Sequence, residues 1–295
     1  VIQALNNQRP LHGLTVGISV SESAESGHLG FTTEEVNRTV RLISQALLGQ
    51  GAHLVFGHDW RADGVMAQVY DFALNYLPTE HNDEAEPSPL ITNFVPWPIK
   101  SGLSNADRER YRQTLRVVEC EKWEMKDFES NDTLTRVSSL TYMRKQLVAY
   151  ADARICIGGR TKGSGGRFAG VAEEAFMTMM ADKPLYLSGM FDGASKQVIN
   201  AIESETPVDI ATFTPRQDIA EYWPVDSFEP DTVIGQRTIN LIREFGISGL
   251  SVNNHLQLHE NQALFQATQI SDVIGWLLEA LKRLDRSKGD LPINR

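Results

Sequence analysis

Short apolar runs alternate with amphipathic segments along most of this chain, and that alternation limits the fold to a small class. Residues 14–23, "LTVGISVSES", start as an alternating apolar strand and end in small polar residues. The next segment, "TTEEVNRTVRLISQALLGQG", has Thr33 as predicted N-cap and Glu34 and Glu35 in a first helical turn. Val36, Val40, Ile43 and Leu47 repeat at helical spacing, and Gly49 or Gly51 stops the helix. "AHLVFGHDW" reads as a second strand and "DGVMAQVYDFALNYL" as a second helix. The pattern recurs with strands in "LITNFVPWPI", near Leu115 to Val118, in "DARICIGG" and in "KPLYLSG". The helices between them include "TLTRVSSLTYMRKQLVAYA", "VAEEAFMTMMA" and "GASKQVINAIES". Repeated strand–helix units predict an α/β fold, a doubly wound, mostly parallel sheet with helices on both faces. From Asp231 onward the chain reads as helices, closing with "ISDVIGWLLEALKRL". With no internal repeat and no low-complexity linker, the expectation is one Rossmann-like domain over 1–295. Its core would cover about 10–225 and a helical addition about 226–295.

Charge removes some functions. The net charge is -10 over 295 residues, so the chain as a whole repels a polyanion, and no nucleic-acid partner is expected. No apolar run approaches the roughly 18–20 residues of a membrane span, so no membrane partner is expected either. The N-terminus lacks the layout of a signal peptide. It also lacks an initiator Met, which fits a processed protein or a piece of a longer one. The two cysteines, Cys120 and Cys156, are far apart, which fits neither a disulfide framework nor a paired-cysteine zinc site. A reducing, cytoplasmic setting is expected. His255 and His259 have helical spacing but no evident third ligand, so no metal site is predicted.

The stretch "ICIGGRTKGSGGRFAGVAEEA" carries the chemistry. Its glycines fit neither the dinucleotide fingerprint nor the P-loop spacing. A nucleophile elbow and a zincin motif are also absent from the sequence. What remains is strand, Gly-rich loop and helix N-terminus, where backbone N–H groups and the helix dipole favour an anion. Gly158, Gly159, Gly165, Gly166, Gly170 and Val171 would form the cradle, with Arg160, Lys162 and Arg167 supplying charge. Two other strand ends would converge there. One carries Gly17, Ser19, Ser21, Glu22 and Ser23; the other carries Gly57, Asp59, Arg61 and Gly64. Loops beyond the carboxyl ends of strands are where open α/β sheets bind ligands, so a phosphorylated small molecule is expected. Adjacent Glu173 and Glu174 point about 100° apart on a helix. One can therefore face the pocket, on a ribose hydroxyl, while the other packs or salt-bridges.

At these residues the sequence resembles the SLOG superfamily, Rossmann-like nucleotide-binding domains named partly after the LOG phosphoribohydrolases. The LOG signature is an Arg on a helix, a strand, then P-G-G-x-G-T-x-x-E. Here Arg144 precedes the strand, Gly158-Gly159 follows it, and "GVAEE" ends on Glu174, with Ile157 and Val171 in place of the Pro and Thr. The loop between Gly159 and Gly170 is much longer than the LOG loop. It is closer to the prokaryotic branch related to the N-terminal region of melastatin-type TRP channels. "GHDWRADG" and "GISGLSVNNHLQLHENQALFQATQISDVIGWLLEAL" resemble a turn and the closing segment of that branch. The resemblance implies a sensor of an ADP-ribose-like or NAD-derived nucleotide, with no further cofactor. It implies an attached or partner effector domain in a bacterial defence or stress system, and self-association into a homo-oligomer. The alternative it implies is a nucleotide N-glycosidase. Glu174 would then be the essential acid, Glu173 its neighbour, and Arg144 the group holding the phosphate or leaving group.

Overall fold

The computed structural model describes residues 9–57, 65–77, 89–123, 132–162, 165–204, 207–215 and 231–289. The strands are β1 (Thr15–Ser21), β2 (His53–Gly57), β3 (Ile91–Val95), β4 (Leu115–Glu119), β5 (Ala153–Gly158) and β6 (Leu185–Ser188). They form one sheet of order β4-β3-β2-β1-β5-β6, every pair parallel. The helices are α1 (Ala24–His28), α2 (Thr33–Gly49), α3 (Met66–Ala73), α4 (Asn105–Arg110) and α5 (Asp132–Tyr150). They continue with α6 (Gly170–Met180), α7 (Gly193–Glu203), α8 (Asp231–Asn254), α9 (Leu258–Gln266) and α10 (Ile270–Gly289). This is the doubly wound α/β architecture, Rossmann-like, with further helices at the C-terminal end of the chain.

Strand periodicity decides which helices cover which face. Along β1, Val16 and Ile18 pack with Val36, Val40, Ile43 and Leu47 of α2 and with Val273, Leu277 and Leu281 of α10. Gly17, Ser19 and Ser21 alternate with them and so take the opposite face. In β5, Ile155 and Ile157 join the α2 side, while Cys156 packs with Ala172, Ala175 and Met179 of α6 and Val198 and Ile202 of α7. Every residue of β5 is buried, as expected of a central strand covered on both faces. Helix α2 begins one residue earlier than the expected Thr33 cap. Thr32 accepts from the backbone N–H of Glu35, and the Glu35 carboxylate accepts from Thr32 in return, a capping box.

The C-terminal helices are packed into both cores. Leu256, Leu264, Val273 and Leu281 sit in the α2-side core, and Ile239, Ile242, Leu250 and Phe265 in the other. They also close the β6 edge. Leu185 N donates to Asn253 Oδ1 at 3.2 Å, and Asn254 Nδ2 donates to Leu185 O at 2.9 Å. The start of that edge is therefore not open to a foreign strand. Arg283 on α10 grips Glu260 on α9 with both terminal nitrogens, at 2.6 and 2.8 Å. Those bonds, against the opposing effect of burial, hold the Glu260 carboxyl at about 2 instead of 4.5. A depressed carboxylate stabilises the fold fully above its unfolded value and loses that contribution as pH falls through its folded value. Stability in denaturant should therefore decline between pH 4.5 and about 2, and Glu260→Gln should flatten that part of the profile. An unchanged acid slope in the variant would show that this pair does not carry it. Among the described residues, no helix is long and apolar enough to cross a membrane.

Candidate functional site

The sheet order reverses between β1 and β5, the switch point at which the loops beyond neighbouring strands part and leave a crevice. A cleft of about 670 Å³ opens there. β1 and the residues after it contribute Ser19, Ser21 and Glu22, and β2 and α3 contribute Gly57 and Met66. Helix α5 contributes Arg144, and the long loop and α6 contribute Arg160, Gly165, Gly170, Val171 and Glu174. A neighbouring hollow of about 430 Å³ shares Glu22 and Arg160 and adds Ser23, Glu25, Thr161 and Lys162. The wall of neither cavity includes Gly17, Gly158, Gly159, Gly166, Arg167 or Glu173. Asp59, Arg61 and Gly64 lie outside the described residues.

The two glutamates divide as their angular separation requires. Glu173 is buried, 1% exposed, and points away from the cleft to Arg144 Nη1, while Thr141 Oγ1 donates to its Oε1 at 2.9 Å. Glu174 lines the cleft. Its Oε2 accepts from Ser19 Oγ and, at 2.9 Å, from Arg154 Nη1. Arg154 Nη1 also donates to Ser19 Oγ at 2.8 Å, and Arg144 Nε stands 3.5 Å from Glu174 Oε1. Two arginines thus counter two acids in a largely dry layer between the sheet and helices α5 and α6.

Several glycines expected to face a ligand make room for these arginines instead. A Cβ on Gly166 would lie 2.0 Å from Arg144 Nη1, and one on Gly170 2.5 Å from Arg144 Nη2. A Cβ on Gly17, the register partner of Arg154, would lie 2.8 Å from Arg154 Nη2. Arg144 therefore fastens the long loop from below. Arg154, Thr141 and Thr161 did not emerge from the sequence as site residues. The signal for Arg154 was present: a charged residue inside the apolar run "ARICIG" must find a partner when buried.

The remaining cations differ. Arg167 sits over the Phe168 ring, 5.9 Å from its centroid, and burial lowers its guanidinium from the ordinary value while Glu173 opposes the shift. Lys162 is exposed and reaches Asp209 at 3.7 Å. Arg160 is exposed, borders both cavities, and has no ion-pair or hydrogen-bond partner among the described residues. Helix α6 opens the same wall with Ala169 as N-cap, which has no side chain to cap the first turn. Burial raises the Cys156 thiol to about 12, which makes it inert as a nucleophile near neutrality. Among the described residues, no cluster of His, Cys, Asp and Glu could hold a metal ion.

Residues 10–264, the whole sheet and the helices that cover it up to α9, match the family model described as SLOG cluster2. The chain belongs to that family. SLOG membership and the switch-point cleft together support small-molecule or nucleotide-related binding. No curated protein matches the chain. Among solved structures, the SLOG cluster2 chain is similar to the molybdenum cofactor carrier protein MCP from Chlamydomonas reinhardtii. The identity is 15% and the TM-score 0.34, over 65% of this chain and 86% of that one.

Proposed function

We propose that the protein binds a phosphorylated, nucleotide-derived small molecule in the switch-point cleft and passes its presence to an effector. The observation that carries this reading is Arg160. The other arginines around the site are engaged by acids or by packing, whereas Arg160 stands exposed where the two cavities meet and has no partner among the described residues. Beside the uncapped start of α6 it offers a phosphate both a fork of donors and a positive helix end. Glu174, on the same wall, suits a ribose hydroxyl. By the resemblance already drawn, the ligand is ADP-ribose-like or NAD-derived. The effector is an attached or partner domain in a bacterial defence or stress system, and the binding unit is a homo-oligomer. Ligand binding would shift packing between states that the effector distinguishes.

The second reading is an N-glycosidase using Glu174 with Arg144. Its support is that the carboxylate borders the cleft, where it could stabilise an oxocarbenium-like charge. Against it, Arg144 is tied to Glu173 and packed under the loop glycines, so it is poorly placed to clamp a phosphate. A panel of nucleoside monophosphates, NAD and ADP-ribose separates the two. The sensor reading expects a ligand-dependent rise in melting temperature without free base, since binding at a hundred times Kd stabilises by about 2.7 kcal/mol. Release of base that stops in Glu174→Gln would replace the sensor with the hydrolase. Arg160→Ala should weaken binding of the phosphorylated ligand about tenfold to a hundredfold, the loss of a hydrogen bond to a charged group. Unchanged affinity would remove Arg160 from the site.

A further inference from the structure

Arg154 is the residue that neither reading above uses. It lies in β5, its side chain is 1% exposed, and its Nε and Nη2 carry no hydrogen bond among the described residues. Burying a guanidinium with donors left over opposes folding, and an apolar side chain of similar size would commonly serve the strand better. What the arginine does achieve is visible at Glu174. Ser19 has one hydroxyl proton, and it goes to Glu174 Oε2 because Ser19 Oγ itself accepts from Arg154 Nη1. Arg154 Nη1 also donates to the same Oε2. One carboxylate oxygen is thereby saturated and the rotation of the group is fixed. The other oxygen, Oε1, accepts no hydrogen bond among the described residues and faces Arg144 Nε at 3.5 Å in an ion pair.

We propose that Arg154 is a positioning residue that, through Ser19, turns Glu174 Oε1 into a reader of ligand hydroxyl groups. The proposal rests on the reading of the cleft as a nucleotide site and adds the chemistry it selects. A fixed carboxylate oxygen accepts from a hydroxyl and repels a second phosphate. The site should therefore prefer a ribose with free hydroxyls over its deoxy or hydroxyl-phosphorylated forms. Gly17 belongs to the same device. Its lack of a Cβ leaves the space in which the Arg154 guanidinium lies, and a methyl there would press on Nη2 and Cζ at 2.8 and 2.9 Å. Gly17→Ala thus displaces the arginine while leaving its charge in place.

The test uses the full chain with adenosine 5'-monophosphate, its 2'-deoxy and 3'-deoxy counterparts, and inorganic phosphate, measured by calorimetric titration. The wild-type protein should bind the ribonucleotide more tightly than at least one deoxy form by about tenfold to a hundredfold. In Gly17→Ala and Arg154→Met that ratio should fall toward unity while the affinity for inorganic phosphate is unchanged, and Arg154→Lys should restore part of it. Ser19→Ala, on the cleft wall, should lower the same ratio if the buried substitutions fail to fold. A wild-type ratio near one, with phosphate still bound, overturns the hydroxyl reader and leaves the cleft reading standing. A full ratio in the folded variants overturns the role of Arg154. If the wild-type chain binds none of these probes, and neither NAD nor ADP-ribose, the cleft reading fails and the reader with it.

Discussion

Glu173→Ala should lower the free energy of unfolding by about 3–5 kcal/mol, with a fall in melting temperature on the order of 10 °C. Glu173 is 1% exposed and Arg144 only 8%. Removing the carboxylate leaves the Arg144 guanidinium under the loop with Glu174 as its remaining acid, 3.5 Å from Nε. Water from the cleft reaches only a small part of Arg144, because Gly166 and Gly170 pack against the guanidinium. The loss comes from stranding a charge and not from the strength of the pair, so a second substitution should recover it. Glu173→Leu combined with Arg144→Met replaces the pair by apolar groups of similar size and should regain most of the stability. Glu174→Gln should cost much less, since that side chain borders the cleft and its amide oxygen can still accept from Ser19. Chemical denaturation of the single and double variants decides the matter. A Glu173→Ala protein within about 0.5 kcal/mol of wild type would mean that the pair is solvated, contrary to its burial.

The division between the two glutamates was legible from their adjacency alone, because helical geometry cannot send both to the same place. The parallel sheet was legible for a similar local reason: the strands announced themselves by short apolar runs, and long helices such as α2 and α5 by their period. Other features were less accessible. Helix α1 is five residues long and is capped by Ser23 against Ser26, a weaker signal than a serine or threonine paired with a glutamate. The Thr32 cap could have been read, since Glu35 stands three residues on and completes the box. The glycines are the instructive case. The loop's composition led to the expectation of an anion cradle, yet Gly166 and Gly170 meet Arg144 from α5, and Gly17 meets Arg154 from β5. Sequence spacing within a loop carries no information about a side chain that arrives from another element. That kind of contact belongs to the tertiary fold.

Gly159 is a loop glycine that neither arginine explains, and its substitution should damage fold and binding together. Its φ is +95°, a region that residues with a Cβ rarely adopt. Its N–H donates to Ser21 O at 2.9 Å, and its carbonyl accepts from Ala194 N at 2.7 Å. The residue is thus tied to the end of β1 and to the start of α7, and the backbone cannot turn to relieve strain without breaking one of these bonds. A Cβ there would meet Val171 Cγ2 at 2.5 Å and Val171 Cβ at 2.7 Å. Since Val171 Cβ is fixed to the α6 backbone, the first turn of that helix must move. Gly159→Ala should therefore cost about 2–5 kcal/mol, from a left-handed residue with a side chain plus overpacking. Any shift of that turn is carried to Glu174, so affinity for the phosphorylated ligand proposed above should drop as well. Gly159→Ala with Val171→Ala separates the two causes. Trimming the valine removes the collision but not the backbone strain, so the double variant should recover the steric share beyond what Val171→Ala alone costs. If the double variant is no better than the sum of the singles, the strain lies wholly in φ, and the start of α6 does not respond to residue 159.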